Sequence, residues 1–206
     1  MKLYYAPGAC SIGIHVLLEE IGKPYETQLV NLRDGEQYKP PYVSTNPKSK
    51  VPALQRDDGS LLTEFPVIAH WLARRNPEAN LLPKDEEAFT RAMEAMEYAV
   101  GTIHGQGFSR IFRPAYFSSS EAEQEQVKAR GREMAEKGFA LIDKTIAGKN
   151  YLGGSTFSIA DAALFYVEFW AAKRLGMKLP ANCAAHFERM MARPAVQKVI
   201  KDEGLA

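Results

Sequence analysis

Two cysteines in 206 residues, Cys10 and Cys183, are too few for a disulfide framework. No apolar run approaches the length that spans a bilayer. The first residues, Met1-Lys2-Leu3-Tyr4-Tyr5-Ala6-Pro7-Gly8, turn at once where a signal peptide needs a long apolar segment. A reduced, cytoplasmic protein is therefore the expectation. An excess of either charge is missing too: 26 basic and 25 acidic side chains leave a formal net charge of +1. That balance argues against nucleic acid or an anionic membrane as the main partner, since either requires a concentrated positive field. The four histidines, His15, His70, His104 and His186, lie far apart without ligand spacing, so no metal site is expected. There is no P-loop, no dinucleotide fingerprint, no internal repeat and no low-complexity tract.

What is present is an ordinary globular composition, 46% hydrophobic and 25% charged, in a length that suits one large domain or two small ones. The first eighty residues alternate strand and helix signals. Lys2 to Tyr5 is a short β-type run closed by Ala6-Pro7-Gly8. Ser11 is placed to cap a helix through Ile21, with Ile14, Leu17, Leu18 and Ile21 at helical spacing and Gly22 and Pro24 ending it. Tyr25 to Leu32 reads as a second strand, and the polar segment 33–42 as an irregular helix or a loop. Asp58-Gly59, between Val51–Gln55 and Ser60–Leu62, is a hairpin signal. Pro66 sits where a helix's first turn tolerates it, ahead of Val67, Ile68, Trp71 and Leu72. The order is βαβ, a short helix, ββ, α. A parallel pairing of the first two strands requires the crossover helix, and the hairpin adds antiparallel strands.

After Asn76-Pro77 the pattern turns helical. Residues 78–86 read as a linker between a domain at 1–77 and an all-helical domain at 87–206. Ser158-Ile159-Ala160-Asp161 is a capping-box-like start to the apolar run Ala162 to Trp170. Phe108, Phe112, Tyr116, Tyr166 and Trp170 divide between core and a substrate wall in a way the pattern alone does not decide.

Four segments, in order along the chain, carry a resemblance: Tyr4-Tyr5-Ala6-Pro7-Gly8-Ala9-Cys10-Ser11, Asn46-Pro47-Lys48-Ser49-Lys50-Val51-Pro52, Leu62-Thr63-Glu64 and Ser158-Ile159-Ala160-Asp161-Ala162. Together with the βαβ–ββα order they resemble the glutathione transferases. Cys10 after Pro-Gly-Ala is most similar to the bacterial beta class. The resemblance implies a thioredoxin-like α/β N-terminal domain and an all-α C-terminal domain. It also implies glutathione as co-substrate with no further cofactor, a small hydrophobic electrophile as second substrate, and a homodimer.

Site residues follow from the same resemblance. Cys10 lies just before a helix N-terminus, where the positive end of the dipole and the free N–H groups favour a thiolate below the free-Cys pKa of about 8.5. The alternative for Cys10 is a small buried turn residue. Ser11 is either a hydrogen-bond donor to the glutathione thiolate or the helix cap. Tyr5, beside the turn, is either an activating tyrosine or a packing residue. Val51, before a Pro52 expected to be cis, presents its backbone to the cysteinyl part of glutathione as an added strand. Glu64 is expected to pair with the γ-glutamyl ammonium. Phe65 stands where a Ser or Thr hydroxyl usually meets the γ-glutamyl carboxylate beside the helix N-terminus. Its backbone N–H can still bind that carboxylate, but losing one hydrogen bond to a charged group costs about 1.5–3 kcal/mol, so weaker glutathione affinity or a different ligand is expected. Arg33, slightly ahead of Lys50, is the candidate cation for the glycyl carboxylate. His104 aligns with a histidine that faces the glutathione sulfur, although Gly105 replaces the lysine that usually follows. Glu97 falls where a neighbouring subunit approaches the γ-glutamyl ammonium. Two further readings stay open: a thiol–disulfide oxidoreductase using Cys10, and a non-catalytic glutathione- or protein-binding module.

Overall fold

The computed structural model describes all residues, Met1–Ala206, and divides into two compact units. One comprises Met1–Leu82 with Glu188–Ala206, the other Pro83–Phe187. The break after Leu82 falls inside the expected 78–86 linker. The last segment departs from the expected 87–206 grouping, because the C-terminal helix lies on the first helix of the chain.

The first unit is built on a four-stranded sheet in the order β2-β1-β3-β4. Its elements are β1 (Lys2–Tyr5), α1 (Ser11–Ile21), β2 (Glu26–Leu29), α2 (Tyr42–Thr45), β3 (Ala53–Gln55), β4 (Leu61–Thr63) and α3 (Phe65–Arg75). β1 and β2 pair in parallel, with Leu3 opposite Thr27, as the α1 crossover requires. β3 pairs antiparallel with both β1 and β4. Gly22 ends α1 at φ 69°, and its N–H reaches the Leu18 carbonyl, as its place after the last apolar residue suggests. β2 is shorter than the 25–32 run and exposed along its length, since it is the sheet's edge. Segment 33–42 holds one turn of 3-10 helix, Glu36–Tyr38.

Leu3, Ile12, Ile14, Leu17, Leu18, Leu54, Ile68 and Leu72 are buried and form the core of this unit. Closing the unit is the last helix of the chain, Pro194–Asp202, which packs on α1. Arg193, at the start of that helix, pairs with Glu20 at 2.7 Å, and Lys198 with Glu19 at 3.2 Å.

The second unit contains α4 (Glu86–Glu97), a π-helical stretch Tyr98–Phe108 that continues into α5 (Ser109–Phe112), then α6 (Glu121–Ile146) and α7 (Ile159–Phe169). α8 (Ala181–Met191) follows, and the terminal helix Pro194–Asp202 is α9. Gly138 of α6 lets the π-helical stretch come close: a Cβ there would sit 2.6 Å from Ile103 Cγ1. Ser158 and Asp161 form the capping box at α7. Asp161 also accepts from the Leu152 N–H at 2.7 Å, so one buried carboxylate ties the incoming loop to the helix start. No helix is long and apolar enough to cross a membrane.

Candidate functional site

The turn after β1 delivers Cys10 to the N-cap position of α1. The residue at this cap is therefore Cys10 rather than the expected Ser11, which is the first helical residue. Ser11 is fully buried, and its Oγ accepts from the Ala6 N–H at 3.2 Å and donates to the Ala6 carbonyl at 3.3 Å. That hydroxyl braces the turn between β1 and α1. Cys10 is half-buried, and its thiol donates to the Val51 carbonyl at 3.2 Å. The structure thus brings together two of the expected site residues that lie forty-one positions apart.

Asn46 shapes the segment that carries Val51. Its side-chain amide donates to the Lys50 carbonyl at 2.8 Å, and its Oδ1 accepts from the Lys48 N–H at 3.2 Å. Tyr42 donates to the same Lys50 carbonyl at 2.5 Å. The Val51–Pro52 peptide is cis, as expected, and so is Pro40–Pro41. Val51 itself is buried with Ala6, Val30 and Tyr42. Its carbonyl has two lone pairs, one engaged by Cys10, so an incoming peptide N–H can still be received there.

Glu64 occupies the junction between β4 and α3 at φ 69° and ψ 123°, a conformation rare for a residue with a Cβ. Its carboxylate is exposed and pairs with Lys48 Nζ at 2.8 Å. Phe65 turns its ring into the core and is buried. The ring therefore does not fill the space outside the α3 N-terminus; what this position lacks is only the hydroxyl. Pro66 lies within the first turn of α3, where its missing N–H costs no helical bond. Arg33 and Lys50 are both exposed, and nothing in their surroundings ranks one above the other.

Tyr5 ends β1. It packs on the α1 face of the sheet against His15, with ring centroids 5.6 Å apart. Burial first, then the Glu203 and Asp202 carboxylates, raise its phenol above the ordinary value, which opposes a phenolate. Residues two apart on a strand share a face, so Tyr5 goes with the buried Leu3.

Two further connections join residues far apart in the chain. Glu203, beyond α9, is buried; its Oε2 accepts from the Gly8 N–H at 2.7 Å and its Oε1 lies 2.9 Å from His15 Nδ1. It thereby grips the turn that carries Cys10 from the far end of the chain. Lys48 is the other, and only its place in the Asn46–Pro52 segment hints at it.

His104 and Glu97 belong to the second unit. His104 is half-buried, with Nδ1 3.1 Å from the Tyr166 hydroxyl and its ring edge-on to Trp170 at 4.7 Å. Phe108, Tyr166 and Trp170 are core residues there, whereas Phe112 and Tyr116 are exposed. Glu97 is exposed, its carboxylate lying over Gly101 so closely that a Cβ there would meet Oε1 at 2.7 Å.

Comparison with known proteins follows the same lines. The glutathione S-transferase N-terminal domain model matches residues 8–75, and the C-terminal domain model matches residues 125–200. Glutathione S-transferase GstA of Escherichia coli O157:H7 is 36% identical over the full length of both chains. The crystal structure of a glutathione transferase homologue from Sulfitobacter, with bound glutathione, superposes with a TM-score of 0.91 at 30% identity, covering 100% of this chain and 98% of that one. A beta-class glutathione S-transferase of Sphingomonas chungbukensis gives 0.86 at 32% identity, with all of both chains covered.

Proposed function

The chain belongs to the glutathione S-transferase family, and from that premise we propose that it joins the glutathione thiolate to small hydrophobic electrophiles at a site built on Cys10, Val51 and Glu64. The observation that carries the site is the 3.2 Å contact between the Cys10 thiol and the Val51 carbonyl. It sets a thiol at the N-terminus of α1 beside a backbone edge suited to a short added strand. Glutathione lying along Val51 would have its sulfur near the positive end of α1, which favours the thiolate.

In this reading the glutathione sulfur forms the new bond to the electrophile's carbon, and the leaving group departs with its electron pair. The substrate is the nucleophile and no further cofactor is required. The protein supplies orientation and charge stabilisation. Glu64 takes the γ-glutamyl ammonium, Arg33 or Lys50 takes the glycyl carboxylate, and the α3 N-terminus, without a hydroxyl at Phe65, takes the γ-glutamyl carboxylate less tightly. His104 and Glu97 remain candidates through the family resemblance. We assign Ser11 and Tyr5 to the scaffold, on their hydrogen bonds and packing.

Two free cysteines suit a reducing compartment, which supports a cytoplasmic enzyme, and a detoxifying role follows from the proposed conjugation of electrophiles. Assembly as a homodimer is proposed from the same family, and a monomer mass on sedimentation would overturn it. The function is tested by assaying conjugation of a chlorinated dinitrobenzene with glutathione. Turnover that saturates in glutathione supports the proposal, and no turnover with any of a panel of electrophiles overturns it.

A further inference from the structure

Where α1 meets α9 in the first unit, a cavity of about 630 Å³ opens whose walls include none of Cys10, Val51 and Glu64. In its wall the donor atoms of His15, Glu19 and Asp202 lie within 4.8 Å of one another. His15 and Glu19 stand one turn apart on α1, and Asp202 ends α9. Donors about 2.0–2.2 Å from a zinc ion stand roughly 3.3–3.6 Å apart in a tetrahedron, so small side-chain rotations gather this set. The spacing of the four histidines hides it, because it takes a single histidine and draws one carboxylate from the far end of the chain.

Each donor is prepared for a cation. His15 is only 2% accessible, with the rings of Tyr5 and Tyr25 against it at centroid distances of 5.6 and 5.8 Å. Its Nδ1 lies 2.9 Å from Glu203 Oε1, whereas Nε2 has no hydrogen-bond partner. A carboxylate on one imidazole nitrogen fixes the tautomer and leaves the other nitrogen's lone pair for a metal. Tyr25 donates to Glu19 Oε1, so Oε2 stays available. Lys198 Nζ lies 3.2 Å from Glu19 Oε1 and 2.5 Å from Asp202 Oδ2, an ammonium between the two carboxylates. The fold thus already gathers positive charge at this point. Lys198 is 54% accessible and reaches solvent by giving up two surface ion pairs.

We propose that His15, Glu19 and Asp202 form a site for a divalent transition-metal ion of the zinc type, with Glu203 orienting His15 from behind and water as the fourth ligand. One imidazole with two carboxylates suits zinc, whereas calcium and magnesium take oxygen ligands alone. The ion clamps α9 to α1. Glu203, next to Asp202, also holds the Gly8 N–H at 2.7 Å, so the clamp steadies the turn that carries Cys10. The metal takes no part in the conjugation, and the proposal stands apart from the glutathione reading.

Titration with Co²⁺, followed by visible absorption, and with Zn²⁺, followed by calorimetry, tests the site in protein free of glutathione, whose thiol itself binds zinc. Wild type should bind one ion per chain at micromolar metal, with Co²⁺ d–d bands and no thiolate charge-transfer band. Asp202→Asn, at the exposed end of α9, should weaken binding by more than about 100-fold, since a ligand counts for more than the roughly 10- to 100-fold of an outer-shell contact. Lys198→Met should tighten it by roughly 3- to 30-fold, the combined value of two surface ion pairs. Free zinc at about a hundred times its Kd should raise the wild-type melting temperature by about 5–11 °C and leave that of Asp202→Asn nearly unchanged. No saturable binding to the wild type at millimolar metal overturns the proposal. So do equal affinities in wild type and Asp202→Asn. A thiolate band that vanishes in Cys10→Ala overturns it as well, because the ion then sits on Cys10.

Discussion

Replacing Glu203 by alanine should loosen the catalytic turn from a distance, and the size of the effect follows from the two hydrogen bonds that the carboxylate makes. The carboxylate is buried, accepts from the Gly8 N–H at 2.7 Å and lies 2.9 Å from His15 Nδ1. His15 is itself buried, so in the variant water does not readily take the place of the lost carboxylate. Each such bond to a charged acceptor is worth about 1.5–3 kcal/mol. Removing the carboxylate deprives two buried donors at once, each at about 1–3 kcal/mol. The two bonds share one carboxylate and do not simply add, so about 3–5 kcal/mol is expected for the pair. For a chain of this length, 1 kcal/mol moves the melting temperature by about 2–4 °C, so a fall of about 6–20 °C is expected. Glu203→Gln retains an oxygen for Gly8 and an amide for His15, and should recover most of that fall. Differential scanning calorimetry reads the stability. Alkylation of Cys10 by iodoacetamide reads the turn, and its rate should change in Glu203→Ala more than in Glu203→Gln. If Glu203→Ala melts within about 2 °C of wild type, Glu203 does not hold the turn.

Other expectations concern the second unit and the thiol. His186 is buried with Nδ1 2.8 Å from Glu168 and Nε2 3.3 Å from Asp161. Burial alone would lower its pKa, but the two carboxylates more than offset this and raise it to about 9, while burial raises that of Glu168. Folded His186 keeps its proton more tightly than the unfolded chain does, so its stabilisation is complete below about pH 6.5 and fades as pH rises through about 9. The raised Glu168 works in the same direction, and the melting temperature should fall between about pH 6 and 9. His186→Gln should lower stability by about 3–5 kcal/mol at low pH and remove most of that slope in thermal melts. A wild-type melting temperature that rises across this range would contradict the assignment. Cys10→Ala should keep conjugation within about tenfold, since the attacking sulfur belongs to glutathione and the helix end remains. Complete loss of conjugation in that variant would make Cys10 itself indispensable.

Much of the architecture is legible in the sequence because its signals are local. Gly22 ends α1 where its position predicts, Asp58-Gly59 turns the hairpin, and Ser158 and Asp161 cap α7. Each depends on residues within one turn of one another. Ser11 is harder, because the first helical residue and the residue before it differ by a single position of phase, and the hydroxyl turns back to Ala6 instead of forward. The stretch Tyr98–Phe108 reads in sequence simply as helix, because its apolar spacing shows neither the π-helical winding nor how closely α6 approaches through Gly138. Tyr5 stands beside the turn, and the two-residue period of the strand sends it with Leu3 toward α1. Lys48 with Glu64, and Glu203 with Gly8, are pairings across sixteen and 195 positions. Only the folded chain brings such partners together. Phe65 lies in between: its departure from the hydroxyl pattern is plain in the sequence, but that its ring is buried rather than blocking the site requires the structure.

The central claim, that Cys10, Val51 and Glu64 frame a glutathione site, is tested most directly by calorimetric titration of the protein with glutathione, wild type against Glu64→Ala. Wild type should bind one glutathione per chain saturably, and Glu64→Ala should bind it roughly 10- to 100-fold more weakly through loss of the bond to the γ-glutamyl ammonium. No binding to the wild type at millimolar glutathione, or equal affinity in the two proteins, would contradict it.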